Sequence, residues 1–115
     1  MSKERMRRVN EAVREVLSTA IGKDLKDPRI GFVTVTGVDT SPDLRHSRVY
    51  VSVLGDETRR DETLAGLASS RGYLQARVAA ELRLKHTPQL DFHYDESADR
   101  GMRISELLRE GDSQQ

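Results

Sequence analysis

The chain has 115 residues, with 19 Lys and Arg balanced against 19 Asp and Glu, three histidines and no cysteine. That length suits one domain with its own core. The missing thiols exclude disulfide staples, cysteine metal sites and thiol catalysis, and no run reaches the ~18 apolar residues of a membrane-spanning helix.

The start, Met1-Ser2-Lys3-Glu4-Arg5-Met6, lacks the apolar run of a secretory signal, so a cytoplasmic protein is expected. Charge is polarised along the chain: residues 1–30 carry a net +3, 31–72 carry −1, 73–88 carry +2 and 89–115 carry −4. A neutral protein arranged this way can still present a basic face to a polyanion. The total charge alone gives no support for nucleic-acid binding.

Residues 4–21 predict the first helix. Met6, Val9, Val13, Val16, Leu17, Ala20 and Ile21 recur at the spacing of one buried face. Ser2 is its N-cap and Gly22 lies beyond its end. The opposite face, with Arg5, Arg7, Arg8, Glu11, Arg14 and Glu15, reads equally as a solvated, salt-bridged surface. The excess of Lys3, Arg5, Arg7 and Arg8 over Glu4 at its start makes it a candidate for phosphate contacts.

A polar link, 23–31, contains the turn-forming Asp27-Pro28-Arg29. Residues 32–38 then alternate valine with threonine, a half-buried strand, with Phe32 expected in the core. After a turn over 39–43, residues 45–54 alternate again, which predicts an antiparallel hairpin. Gly55-Asp56-Glu57-Thr58 opens the next helix with acidic residues at its N-terminus.

Two helical stripes follow, Leu64, Leu67 and Ala68, then Leu74, Val78 and Leu82. As one helix they would be about twice the usual length. Gly72 permits a sharp turn because it has no Cβ, so the joint Ser70-Arg71-Gly72 predicts a bend that lays both stripes on one sheet. A glycine tolerated inside one long helix is the alternative. Thr87-Pro88 stops the second helix.

Leu90 to Tyr94 forms a third short strand with Leu90, Phe92 and Tyr94 inward. Ile104, Leu107 and Leu108 mark a short C-terminal helix. The order helix, strand, strand, helix, helix, strand predicts an α+β two-layer domain, a three-stranded sheet with helices over one face. One domain over 1–108 and a flexible tail over 109–115 are expected.

Catalytic signals are sparse. Asp91, His93 and Asp95, beside Glu96, share one face of a strand and could converge on a divalent metal for hydrolysis. The same alternation simply turns them to water, and residues two apart on a strand are separated by ~7 Å. Neither nucleophile-elbow, phosphate-loop nor dinucleotide glycine patterns occur, nor zinc-type spacing. No catalysis, metal or cofactor is therefore expected.

Basic residues are better represented. Arg71, Arg77, Arg83 and Lys85 lie on or beside the bent helix pair, and Arg45 and Arg48 on the second strand. With only five aromatics, backbone contacts to a folded RNA suit this composition better than base stacking. A protein-interaction module using the charged face of the first helix is a further class.

The element order resembles a type II KH domain, and the motifs resemble the ribosome-binding factor A family. They are Asp27-Pro28-Arg29-Ile30-Gly31, Val33-Thr34-Val35-Thr36, Ser41-Pro42-Asp43-Leu44 and Val49-Tyr50-Val51-Ser52-Val53. Gly72-Tyr73-Leu74, Leu82-Arg83-Leu84, Pro88-Gln89-Leu90 and Tyr94-Asp95-Glu96-Ser97 follow in order, then Gly101, Ile104 and Leu107-Leu108, so the likeness spans 4–108.

It implies a non-enzymatic, monomeric factor that binds the small (30S) ribosomal subunit and its 16S rRNA precursor. In this family that binding supports 5′-end processing of the rRNA and growth in the cold. No membrane and no small-molecule substrate are implied. The family replaces the KH Gly-x-x-Gly loop with an Ala-x-Gly joint, matched here at Gly72 but with Ser70 for the alanine. Gln75, Ala79, Ala80 and Glu81 also stand where relatives often carry basic residues.

Overall fold

A computed structural model describes residues 2–97. Its elements are α1 (Lys3–Lys23), β1 (Val33–Thr40), β2 (His46–Val53), α2 (Glu57–Ser69), α3 (Arg71–Leu82) and β3 (Gln89–Tyr94). The expected C-terminal helix and tail lie outside the described residues.

The sheet is mixed, with β2 in the centre. β1 runs antiparallel to it with Val35 opposite Val51, and a bulge between Val35 and Gly37 shifts the register. β3 runs parallel to β2 with Val49 opposite Phe92. A parallel pair cannot be joined by a tight turn, and the α2–α3 unit supplies the crossover.

Alternation sends Val35, Val49, Val51 and Leu90 to one face. There they meet Val13, Val16, Leu17 and Ala20 of α1, Leu67 of α2, and Leu74 and Val78 of α3. The opposite face, with Thr34, His46, Arg48 and His93, is open to solvent. Buried polar groups at the sheet's edge with α1 are satisfied. Thr40 and Ser47 hydroxyls share a 2.8 Å hydrogen bond, and the Thr40 N–H donates to Asn10 Oδ1 at 2.9 Å.

Ser2 caps α1 by accepting from the Arg5 N–H at 3.2 Å, as expected from the sequence. The helix then runs past Gly22 to an Asp24 cap. The bend between α2 and α3 falls on Ser70, whose φ of −92° and ψ of 5° leave the helical basin. Its N–H is shared between the carbonyls of Gly66 and Leu67, both at 3.1 Å, and its carbonyl accepts from Leu74, so α3 starts at once. Gly72 sits inside α3, and a Cβ there would meet nothing within 4 Å. The break therefore owes its position to Ser70 and to packing, and glycine is not required at 72.

Two other expectations are corrected. α3 ends at Leu82, well before Pro88, because Arg83 turns left-handed (φ 48°) and its N–H closes on the Ala79 carbonyl. Phe32 is 81% exposed rather than core. The strand begins at Val33, which packs against the core, so Phe32 falls outside it.

The glycine that packing does require is Gly66. A Cβ there would lie 2.7 Å from Ile30 Cγ1, and this close approach seats the Asp27–Gly31 turn on α2. Arg29 locks the turn. Its guanidinium bonds the Asp27 carboxylate (Nη2 to Oδ2, 2.6 Å) and Ser69 Oγ (3.1 Å), while its carbonyl accepts from Thr63 Oγ1 (3.2 Å). The Arg29 side-chain bonds, with help from its backbone N–H, lower Asp27 from 3.8 to about 2.

This packing sets two expectations for stability. Gly66→Ala should destabilise the fold by about 1–3 kcal/mol, the usual range for overpacking, whereas Gly72→Ala should stabilise it by about 0.5–1 kcal/mol. Urea unfolding of the two variants measures both. Because Asp27 is more acidic folded than unfolded, its stabilisation is complete above its ordinary value of 3.8 and vanishes as pH falls through about 2. Asp27→Asn should flatten the dependence of the urea midpoint on pH across that window.

Candidate nucleic-acid interface

Because β2 and β3 are parallel, they begin at the same end of the sheet. The Gln89 N–H donates to the Arg45 carbonyl at 2.7 Å, which fixes the residues leading into both strands side by side. α3 crosses nearby, and Gln75 in its second turn accepts from the Leu90 N–H at 3.0 Å. That bond satisfies a donor on the outer edge of β3 and holds the helix to the strand.

These three elements enclose a concavity of about 710 Å³. Arg45, His46 and Gln89 line it from the strand ends, Arg71 and Gln75 from α3, and Lys85, His86 and Thr87 from the loop after α3. No carboxylate is among these lining residues. Its cations are weakly engaged: Arg45 Nε is 3.9 Å from Asp43 and Arg71 Nη2 is 3.9 Å from Asp91. Among the described residues Lys85 makes no ion pair. Cations held near one another with only loosely placed counter-charges favour a polyanion, and the amide and hydroxyl groups between them can donate to phosphate or ribose oxygens.

The basic residues singled out by sequence are thus divided. Arg45, Arg71 and Lys85 come together. Arg48 stands on the open face between Asp39 and Asp91 in the strand register, at a smaller hollow of about 470 Å³ that shares His46.

Arg77 turns the other way, toward the end of α1. It lies 3.4 Å from Asp24 and 2.7 Å from Glu81, and Tyr73 donates to the same Asp24 at 2.8 Å. That hydrogen bond is also the main cause of the raised pKa of the Tyr73 phenol. Arg83, at the helix end, does not line the concavity. Arg5, Arg7 and Arg8 occupy the first turns of α1, where Arg7 and Arg8 share Glu4 at 2.7 and 3.6 Å.

His46, His86, Gln75, Thr87 and Gln89 are the lining groups that sequence reasoning missed. Both histidines stand beside cations, His46 next to Arg45 and His86 next to Lys85. The signal lies in two short polar runs, Arg45-His46 and Lys85-His86-Thr87, each leading into a strand.

The carboxylates of the candidate metal triad are engaged elsewhere. Asp95 accepts from Ser97 and, at 2.6 Å, from Thr36 Oγ1. Both bonds lower its pKa, Ser97 more strongly. Asp91 faces Arg71, and the His93 ring lies 5.9 Å from that of Tyr50. No group of three His, Asp or Glu able to hold a metal occurs among the described residues. No helix among them is long and apolar enough to cross a membrane.

The sequence profile described as "Ribosome-binding factor A" matches residues 5–108. A ribosome-binding factor A from Anaeromyxobacter sp. (strain K) is 55% identical over 93% of this chain and 78% of its own length. The crystal structure of ribosome-binding factor A from Thermus thermophilus superposes with a TM-score of 0.70 at 27% identity, covering 77% of this chain and 94% of that one. A homology model of the T. thermophilus factor, as fitted into the cryo-EM map of a complex of the 30S subunit with ribosome-binding factor A, gives a TM-score of 0.64 at 28% identity. It covers 76% of this chain and 91% of that one.

Proposed function

Since this chain belongs to the ribosome-binding factor A family, we propose that it binds the free or immature small ribosomal subunit and assists its late maturation, including 5′-end processing of the 16S rRNA precursor. It acts by occupancy, as a monomer in the cytoplasm, with no chemical step and no cofactor. The observation that carries this reading is the carboxylate-free concavity where Arg45, Arg71 and Lys85 converge.

Phosphates are the groups such a site can hold. Arginine offers a planar fork that matches two phosphate oxygens, and lysine contributes a mobile point charge. The site has no aromatic lining group apart from two histidine rings, so it has little to stack bases on. Recognition then rests on the spacing of phosphates in one local rRNA fold, and binding favours that fold over its competitors. The complex of the 30S subunit with ribosome-binding factor A, into whose map the T. thermophilus model was fitted, supports the small subunit as the partner.

Neutralising about three phosphates should give a slope of log K against log salt of about −2 on single strands and about −3 on a duplex. Replacing Lys85 by Gln should reduce that slope by about 1. Filter binding to 16S rRNA fragments over a salt series measures both. An affinity that stays flat as salt rises would remove the phosphate-clamp reading.

A further inference from the structure

The smaller hollow beside the basic concavity has a different chemistry. Asp39, Arg48 and Asp91 form one row across β1, β2 and β3, with neighbouring strands about 5 Å apart. Arg71, which lines the concavity, stands 3.9 Å from Asp91. Charge therefore alternates along the line Arg71, Asp91, Arg48, Asp39. Among the described residues the side chains of Arg48 and Asp39 make no ion pair and no hydrogen bond. His46 lines both the concavity and the hollow.

A row without net charge is a poor seat for phosphate, because each carboxylate offsets a cation. It suits the edge of a nucleobase, where donors and acceptors stand side by side. Guanine matches the order of the groups. Its N7 and O6 accept from a guanidinium, and the adjoining N1–H and N2 amino group donate together to a carboxylate. Arg48 and Asp39 are such a pair, adjacent and free of other partners. Adenine and cytosine offer a carboxylate one amino group each, and uracil flanks its N3–H with carbonyls that a carboxylate repels. His46, two residues before Arg48 on the same strand, supplies a ring for stacking. The Ser41–Pro42 wall of the hollow is fixed in advance, since Ser41 Oγ donates to Asp43 at 2.6 Å and accepts from the His46 N–H at 3.1 Å.

We propose that this hollow takes the base of one unpaired guanine, adjoining the phosphates held in the concavity. Arg48 donates to O6 and N7, Asp39 accepts from N1–H and the N2 amino group, and the His46 ring stacks on the base. The volume of about 470 Å³ lies in the range of small-molecule sites. The inference deepens the RNA reading and rests on it for the phosphate contacts, adding one base contact to recognition by phosphate spacing.

Labelled oligouridine strands with one central guanosine, inosine, adenosine or cytidine test this by fluorescence anisotropy. The guanosine strand should bind at least about fivefold tighter than plain oligouridine, the low end for one bidentate base contact. The inosine strand, which lacks the N2 amino group, should fall between them. Asp39→Ala and Arg48→Gln, both at exposed positions, should each erase the preference. Guanosine monophosphate, but not uridine monophosphate, should shift the amide resonances of residues 39–41 and 46–48. Equal affinity for all strands, a preference that survives either substitution, or equal shifts with the two nucleotides would each overturn the proposal. Oligouridine binding unchanged by Arg45→Gln/Lys85→Gln would instead remove the phosphate reading, and the nucleotide titration then decides the hollow by itself.

Discussion

The parallel pairing of β3 with β2 is the constraint on which the other features depend. Such a pair requires a long crossover, and this chain makes its crossover from two helices whose apolar stripes must both reach one face of a narrow sheet. A straight helix across residues 57–82 would carry one stripe away from it. The break at Ser70 resolves this with a single residue outside the helical basin, whose N–H and carbonyl both find partners. Leu67 and Leu74, on either side of the break, are both fully buried.

The same pairing determines where the charges go. Strands that begin together place the residues before them together, so Arg45 and the Lys85–Thr87 loop meet although they are far apart in sequence. Arg71 joins them because the helix break lies above that end of the sheet, and Gln75 ties α3 to the edge of β3. Other basic residues are held closer to carboxylates: Arg77 lies 3.4 Å from Asp24 and 2.7 Å from Glu81, and Arg7 and Arg8 share Glu4, whereas Arg45 and Arg71 stand 3.9 Å from Asp43 and Asp91. What distinguishes the concavity is the lack of counter-charge among its lining residues rather than the number of cations nearby.

Much of this fold was legible in the residue pattern. The spacing of Val9, Val13, Val16 and Leu17 specifies α1, and the alternation around Val49 and Val51 specifies β2, because each follows from a local period and one buried face. Features set by tertiary contact were not legible. Gly72 looked like the hinge because glycine usually marks one, whereas the close approach in the structure belongs to Gly66 and Ile30. Phe32 looked like core because it is apolar, yet its place just before the strand leaves it outside. Arg45, Arg71 and Lys85 could be named as cations, but their convergence and the inclusion of His46 and His86 depend on a parallel register that no local pattern encodes.

In the proposed complex the grouped cations of the concavity, and not the salt-bridged cluster at the start of α1, hold the ribosomal RNA. Co-sedimentation with isolated small subunits tests this directly. The triple variant Arg45→Glu, Arg71→Glu, Lys85→Glu should lose at least about tenfold in affinity, a difference of ~1.4 kcal/mol. The triple variant Arg5→Glu, Arg7→Glu, Arg8→Glu should lose much less. Equal losses, or a greater loss from the α1 variant, would contradict it.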